Sequence, residues 1–141
     1  MRVLYIHAEF FSYKPREKVN IPAVDDCESK EVSFNDVLVI FMTIEKGDFQ
    51  EKDRIIKEFI NDLDIHVKRI NCKNIVIYPY AHLSESLESP RLALRMLRVI
   101  ESSLKKRFGE YKIHKAPFGW YKEFVLKCIG HPLAELSRSF K

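Results

Sequence analysis

Two long amphipathic periods, each following a run of β-branched and aromatic residues, constrain this chain more than any other feature. Val37-Leu-Val-Ile-Phe-Met-Thr-Ile44 reads as the strongest strand, extending to Lys46, because β-branched residues dominate it. The segment behind it places Ile55, Ile56, Phe59, Ile60, Leu63, Val67 and Ile70 near one helical face. Asp48, with Glu51 three residues on, offers a capping box for that helix. Asn74–Tyr80 repeats the strand signal and is ended by Pro79 and a loop. Ser89 and Pro90 then supply an N-cap and a first-turn proline. The helix they open runs to Phe108, and Gly109 suits its C-terminal cap. Strand and helix alternating in this order predict an α/β domain with a mixed sheet.

The flanks are less regular. Arg2–Ala8 reads as a first strand, with Val3, Leu4, Tyr5 and Ile6 implying burial on both faces. Residues 9–30 are polar and contain Pro15 and Pro22, so a long loop or an edge hairpin is expected. Tyr111–Lys115 and Tyr121–Ile129 read as strands joined by a turn at Ala116–Trp120, and Pro132–Phe140 as a short terminal helix. No repeat, low-complexity stretch or interior linker interrupts the 141 residues, which amount to a single domain.

Some settings are disfavoured at once. The Val37–Ile44 run is far shorter than the ~20 residues of a membrane helix, and the N-terminus lacks the pattern of a signal peptide. Cys27, Cys72 and Cys128 are odd in number and widely spaced, which fits a reducing cytoplasm better than a disulfide framework. The net charge of +4 conceals a division: residues 1–90 carry 12 Lys/Arg against 16 Asp/Glu, and residues 91–141 carry 12 against 4. A basic half of this kind suits a phosphate backbone. It equally suits the solvated face of one helix bearing Arg91, Arg95, Arg98, Lys105, Lys106 and Arg107.

Several chemistries lack their signatures. The five histidines, His7, His66, His82, His114 and His131, show no His-x-x-x-His spacing, and no Cys-x-x-Cys is present, so no metal site is expected. There is no Gly-x-Ser-x-Gly elbow, and four glycines are too scattered for a P-loop or dinucleotide fingerprint.

Three motifs remain: Ile77-Tyr-Pro-Tyr-Ala-His-Leu-Ser84, Lys115-Ala-Pro-Phe-Gly-Trp-Tyr-Lys-Glu-Phe124 and Gly130-His-Pro-Leu-Ala-Glu-Leu-Ser-Arg138. Each residue in them has an ordinary structural use. Lys122 suits a solvated strand, Tyr121 half-buried packing, His82 a turn, and Glu135 an ion pair with Lys122. Together, from Met1 to Arg138, they resemble the N-terminal editing domain of archaeal threonyl-tRNA synthetase, with its D-aminoacyl-tRNA deacylase-like fold. The resemblance implies that Lys122, Tyr121, His82 and Glu135 surround a seryl group. It implies further that Tyr80, Ala81, Pro117, Phe118, Gly119 and Trp120 shape the pocket. Thr43, Ile44 and Glu45 resemble the edge that grips substrate through main-chain groups. Trp120 stands where a tyrosine is usual, and nothing is carried over for residues 14–31.

The implied activity is hydrolysis of mischarged L-seryl-tRNA(Thr). Serine lacks only the β-methyl of threonine, a difference worth about 1–3 kcal/mol, so accurate charging needs a second, hydrolytic sieve. In the implied chemistry the substrate's own 2′-hydroxyl helps to position or activate the water. Lys122 is a poor base unless burial lowers its pKa. A D-aminoacyl-tRNA deacylase and a non-catalytic tRNA-binding module are the alternatives. The resemblance also implies a homodimer, no cofactor for this domain, and a place ahead of the synthetase's catalytic and anticodon-binding domains. Those domains would use ATP, Mg and Zn and have no room in this chain, which is either a fragment of a synthetase or a free-standing editing protein. The opening strand and Val37–Ile44, too apolar for exposed edges, point to the dimer as well.

Overall fold

The computed structural model describes all 141 residues. Six strands form one mixed sheet: β1 (Arg2–Lys18), β2 (Val32–Thr43), β3 (Asn74–Pro79), β4 (Lys112–Lys115), β5 (Trp120–Cys128) and β6 (Glu135–Ser139). Their order is β4-β3-β2-β1-β5, with β6 pairing β1 beside the path. β2, β3 and β4 run parallel. β1 pairs antiparallel with β2, β5 and β6. The parallel pairs are joined by α1 (Lys52–Ile70) and α2 (Pro90–Arg107), as parallel strands require a crossover. This is the α/β mixed-sheet domain expected from the sequence.

The apolar helix faces share one core. Ile55, Phe59 and Leu63 of α1 and Met96, Leu97 and Ile100 of α2 bury against Val3, Tyr5, Leu38, Ile40, Ile75 and Ile77. Val37, Val39, Phe41, Val76 and Tyr78 point to the other face and are buried there with Phe11 and Tyr13. In β1 the inward side switches from Ala8 to Phe11, where the register with β5 shifts between Ala8 and Phe10. Across from it, Asp36 adopts φ 48, so β2 turns in step and the β1–β2 register holds. The turned halves bring β5 over the second face: Phe124 lies 5.6 Å from Tyr78 and 5.8 Å from Phe41, ring to ring.

Five expectations are corrected by the fold. Residues 9–18 are strand, because β1 continues against β2 to Tyr13 and against β5 to Lys18; Pro15, which has no N–H to donate, sits at the second register shift. Pro132–Phe140 contains no helix: β6 pairs Glu135 with Ile6 and Ser139 with Arg2. Asp48 does not cap with its side chain; its carboxylate accepts from Glu45 N at 2.6 Å and pairs with the Met1 ammonium at 2.7 Å. Phe108, rather than Gly109, occupies the C-cap of α2. The dimer argument from apolar edges also fails, since β1 and β2 are central strands flanked on both sides. Their apolarity is that of strands covered on both faces.

Candidate active site

A cleft of about 550 Å³ opens where β2 and β3 end, within the usual range for small-molecule sites. Thr43 and Ile44 form one wall, Tyr80, Ala81 and His82 another, and the first turns of α2 a third through Pro90, Ala93 and Leu97. Phe118, Gly119, Trp120, Tyr121 and Lys122 close it from the β4–β5 turn, and Val19 and Ile21 complete the rim. Segments far apart in the chain thus converge, two of the three motifs among them; Gly130–Arg138 contributes no lining residue.

Lys122 is the one lysine in the cleft lining. Its Nζ donates to Pro117 O at 2.8 Å and Trp120 O at 3.1 Å, and lies 5.0 Å from the Tyr78 ring centre. Burial, and then the neighbouring Lys115 ammonium, lower its pKa to about 8, against smaller opposing effects of Cys27 and Asp25. An ammonium has three N–H donors; two are used, leaving one for a ligand.

The turn that carries Lys122 is fixed by a strap, residues 19–25, where sequence alone gave no role. Asp25 accepts from Lys115 Nζ at 2.5 Å, Phe118 N at 2.9 Å and Arg98 at 2.8 Å. Its backbone oxygen accepts from Trp120 Nε1 at 2.7 Å. Burial pushes the Asp25 carboxyl up, but these donors outweigh it and hold the pKa below its ordinary value. Gly119 has φ 83, and a Cβ there would lie 3.0 Å from Val24 Cγ2 and 3.2 Å from Ala23 O, so only glycine lets the strap approach.

His82 is exposed beside the cleft, packs edge-on to Tyr80 at 5.0 Å, and makes no hydrogen bond within the protein. Tyr121 lines the cleft and is 61% exposed. Pro117 contributes through its carbonyl and not as lining. Glu45 stands apart in a shallow neighbouring hollow, where it binds the Met1 ammonium, Arg2 and Ser84. Its N–H goes to Asp48 and the Ile44 carbonyl accepts from Glu88 N, so these main-chain groups already have partners. Glu135 does not join the cleft. It is exposed on β6 opposite Ile6, and the expected ion pair with Lys122 is absent.

Sequence reasoning passed over Asp25, Tyr78 and Glu88. Tyr78 had a usable signal, since period-two spacing places it on the same face as Val76 and Tyr80. Glu88 is the carboxylate in the lining, and its oxygens accept from Gly47 N and Ser89 N. Asp25 gave no local signal, because all its partners are more than 70 residues away.

Residues 1–140 match the family model described as the archaea-specific editing domain of threonyl-tRNA synthetase. A threonine–tRNA ligase of Pyrobaculum aerophilum is 44% identical over 100% of the chain and 22% of its own length. One from Thermococcus sibiricus is 41% identical over 99% of the chain and 22% of its length. A threonine–tRNA ligase editing subunit of Saccharolobus solfataricus is 42% identical over 100% of the chain and 35% of its length. The chain therefore spans about a fifth to a third of these relatives. Among solved structures, the c-Myc DNA Unwinding Element Binding Protein shares the fold, with a TM-score of 0.75 at 9% identity, covering 100% of this chain and 99% of that one.

Proposed function

The chain belongs to the archaea-specific editing-domain family of threonyl-tRNA synthetase, and from that premise we propose that it hydrolyses seryl-tRNA(Thr) as a proofreading step. The observation that carries the reading is Lys122: a desolvated ammonium with one unspent N–H, at the wall of a cleft that also holds an unpartnered imidazole, His82. The terminal adenosine and its seryl ester enter the cleft. Water attacks the ester carbon, the C–O bond to the ribose breaks, and serine leaves with the tRNA hydroxyl restored. Lys122 donates to the water or to the developing oxyanion, His82 and Tyr121 orient the substrate, and the 2′-hydroxyl of the adenosine assists the water. The strap, through Asp25, holds Lys122 in place.

The partners are the acceptor end of tRNA(Thr) carrying serine and, as the greater length of the relatives suggests, the remainder of a synthetase. ATP and metals belong to that remainder, and the setting is the cytoplasm. The isolated chain should deacylate seryl-tRNA(Thr) much faster than threonyl-tRNA(Thr), with a rate unchanged by chelator. Equal rates on the two substrates would remove the proofreading assignment. Preference for D-aminoacyl-tRNA would favour chiral proofreading, and tRNA binding without hydrolysis a passive module.

The chain should also form a homodimer through β5. This strand is an edge of the sheet, with β4 at the opposite edge, and it exposes Tyr121, Phe124 and Val125 at 61%, 43% and 59%. An open apolar edge invites pairing with another chain. Light scattering should give twice the 16.7 kDa of one chain, and Val125→Lys should shift it towards the monomer. A monomer at working concentrations would contradict the proposal.

A further inference from the structure

At the far end of β2 from the cleft, three metal-ligating side chains converge. His7 of β1, Asp36 of β2 and Cys72, just after α1, place their donor atoms within 4.8 Å of one another. Asp36 and Thr43 are seven residues apart on one strand, so the cluster lies roughly 23 Å from the cleft by strand rise. His7 and Cys72 are buried, and Asp36 is exposed, which gives an entry path.

We propose that His7, Asp36 and Cys72 form a site for one divalent ion of the zinc class. Imidazole nitrogen, carboxylate oxygen and thiolate sulfur are the donor types that zinc takes in three-ligand sites completed by water. Magnesium and calcium, which want oxygen alone, are not served by it. Tetrahedral donors lie roughly 3.3–3.6 Å apart. His7 Nε2 and Asp36 Oδ1 now share a hydrogen bond of 2.7 Å and need to separate by well under 1 Å. Cys72 Sγ, which contacts Asp36 O at 3.6 Å and Asn74 O at 3.4 Å, loses its proton to solvent as the metal binds. The ion's two charges are then balanced by one thiolate and one carboxylate. Sequence spacing hides this set because each ligand comes from a different segment.

The outer shell is present too. His7 Nδ1 lies 2.7 Å from His131 Nε2, and Leu133 N donates to His131 Nδ1 at 3.1 Å. The Leu133 donor fixes the neutral His131 proton on Nε2, so His131 donates to His7, and His7 donates to Asp36. Metal on His7 Nε2 reverses the chain: His7 Nδ1–H donates to His131, whose proton moves to Nδ1. The Leu133 amide then loses its acceptor. Metal is thereby coupled to the β5–β6 turn through one defined bond.

Cobalt(II), added to the whole 141-residue chain, tests the site. The expected result is one equivalent bound per chain, with four-coordinate d–d bands and a thiolate-to-cobalt charge-transfer band. The Leu133 amide signal should shift in zinc-loaded protein. The charge-transfer band should vanish in Cys72→Ser and persist in Cys27→Ser and Cys128→Ser. Because Cys72 is buried and its variant can fail to fold, Asp36→Asn provides a folded, surface-changed control. It should weaken binding markedly, and His131→Gln should do so by about 10–100-fold, as outer-shell partners do. No charge-transfer band in the native chain, or one that survives Cys72→Ser, overturns the proposal. The readout is spectroscopic and independent of whether seryl-tRNA is the substrate.

Discussion

Replacing the terminal adenosine of seryl-tRNA by 2′-deoxyadenosine should slow deacylation by about 10³-fold or more, towards the upper part of the general acid–base range. Lys122→Met should slow it by about 10²-fold, the loss typical of one oxyanion donor, with binding of a seryl analogue largely intact. The ranking follows from the state of Lys122. With a pKa of about 8, it is chiefly an ammonium at pH 7, with two N–H groups committed to Pro117 O and Trp120 O and one free. Above pH 8 the neutral amine keeps two N–H groups for those carbonyls and loses the free one. The Lys122-dependent part of the rate, read as the ratio of native to Lys122→Met, should therefore fall as pH rises through about 8. A base would show the opposite slope. Should the 2′-deoxy substrate be hydrolysed normally while Lys122→Met is inert, the side chain is the catalyst and substrate assistance is wrong.

The same lysine predicts a stability effect. Its folded pKa of about 8 lies below the ordinary 10.5 of the unfolded chain. Between those values the unfolded state holds more protons, so stability rises with pH, by about 3 kcal/mol over the whole window. Urea melts of Lys122→Met should lack that rise.

Asp25→Ala should destabilise the domain by about 3 kcal/mol. The Lys115 side chain is only 8% exposed and pairs with Asp25 at 2.5 Å, so truncation leaves a buried ammonium without its counter-charge. Phe118 N loses its acceptor and the strap loosens from the Trp120 turn. Calorimetry should show a fall of about 10 °C in Tm, and the deacylation rate should fall with Lys122 misplaced. Native stability from Asp25 should hold above its ordinary pKa of 3.8 and be lost as pH drops through its lower folded value. An unchanged Tm and unchanged rate in Asp25→Ala would show that the strap positions nothing.

The sequence by itself determined the α/β class, both helices and the core strands, since periodicity and β-branched runs are local properties of the chain. It also supplied the motifs that bring Lys122, Tyr121, His82 and Trp120 to one cleft. Tertiary structure alone decided the rest. Residues 9–18 became strand because β5, and β2 as far as Tyr13, offered pairing to a segment broken by Pro15, and Glu135–Ser139 paired with β1 instead of coiling. Strand pairing is settled by neighbours distant in the chain and leaves little trace in the strand itself. Asp25 reaching Lys115 and Phe118, and His7 meeting Asp36 and Cys72, are long-range encounters of the same kind. No spacing rule along the chain encodes them, because the sheet order that creates them exists only once the domain has folded.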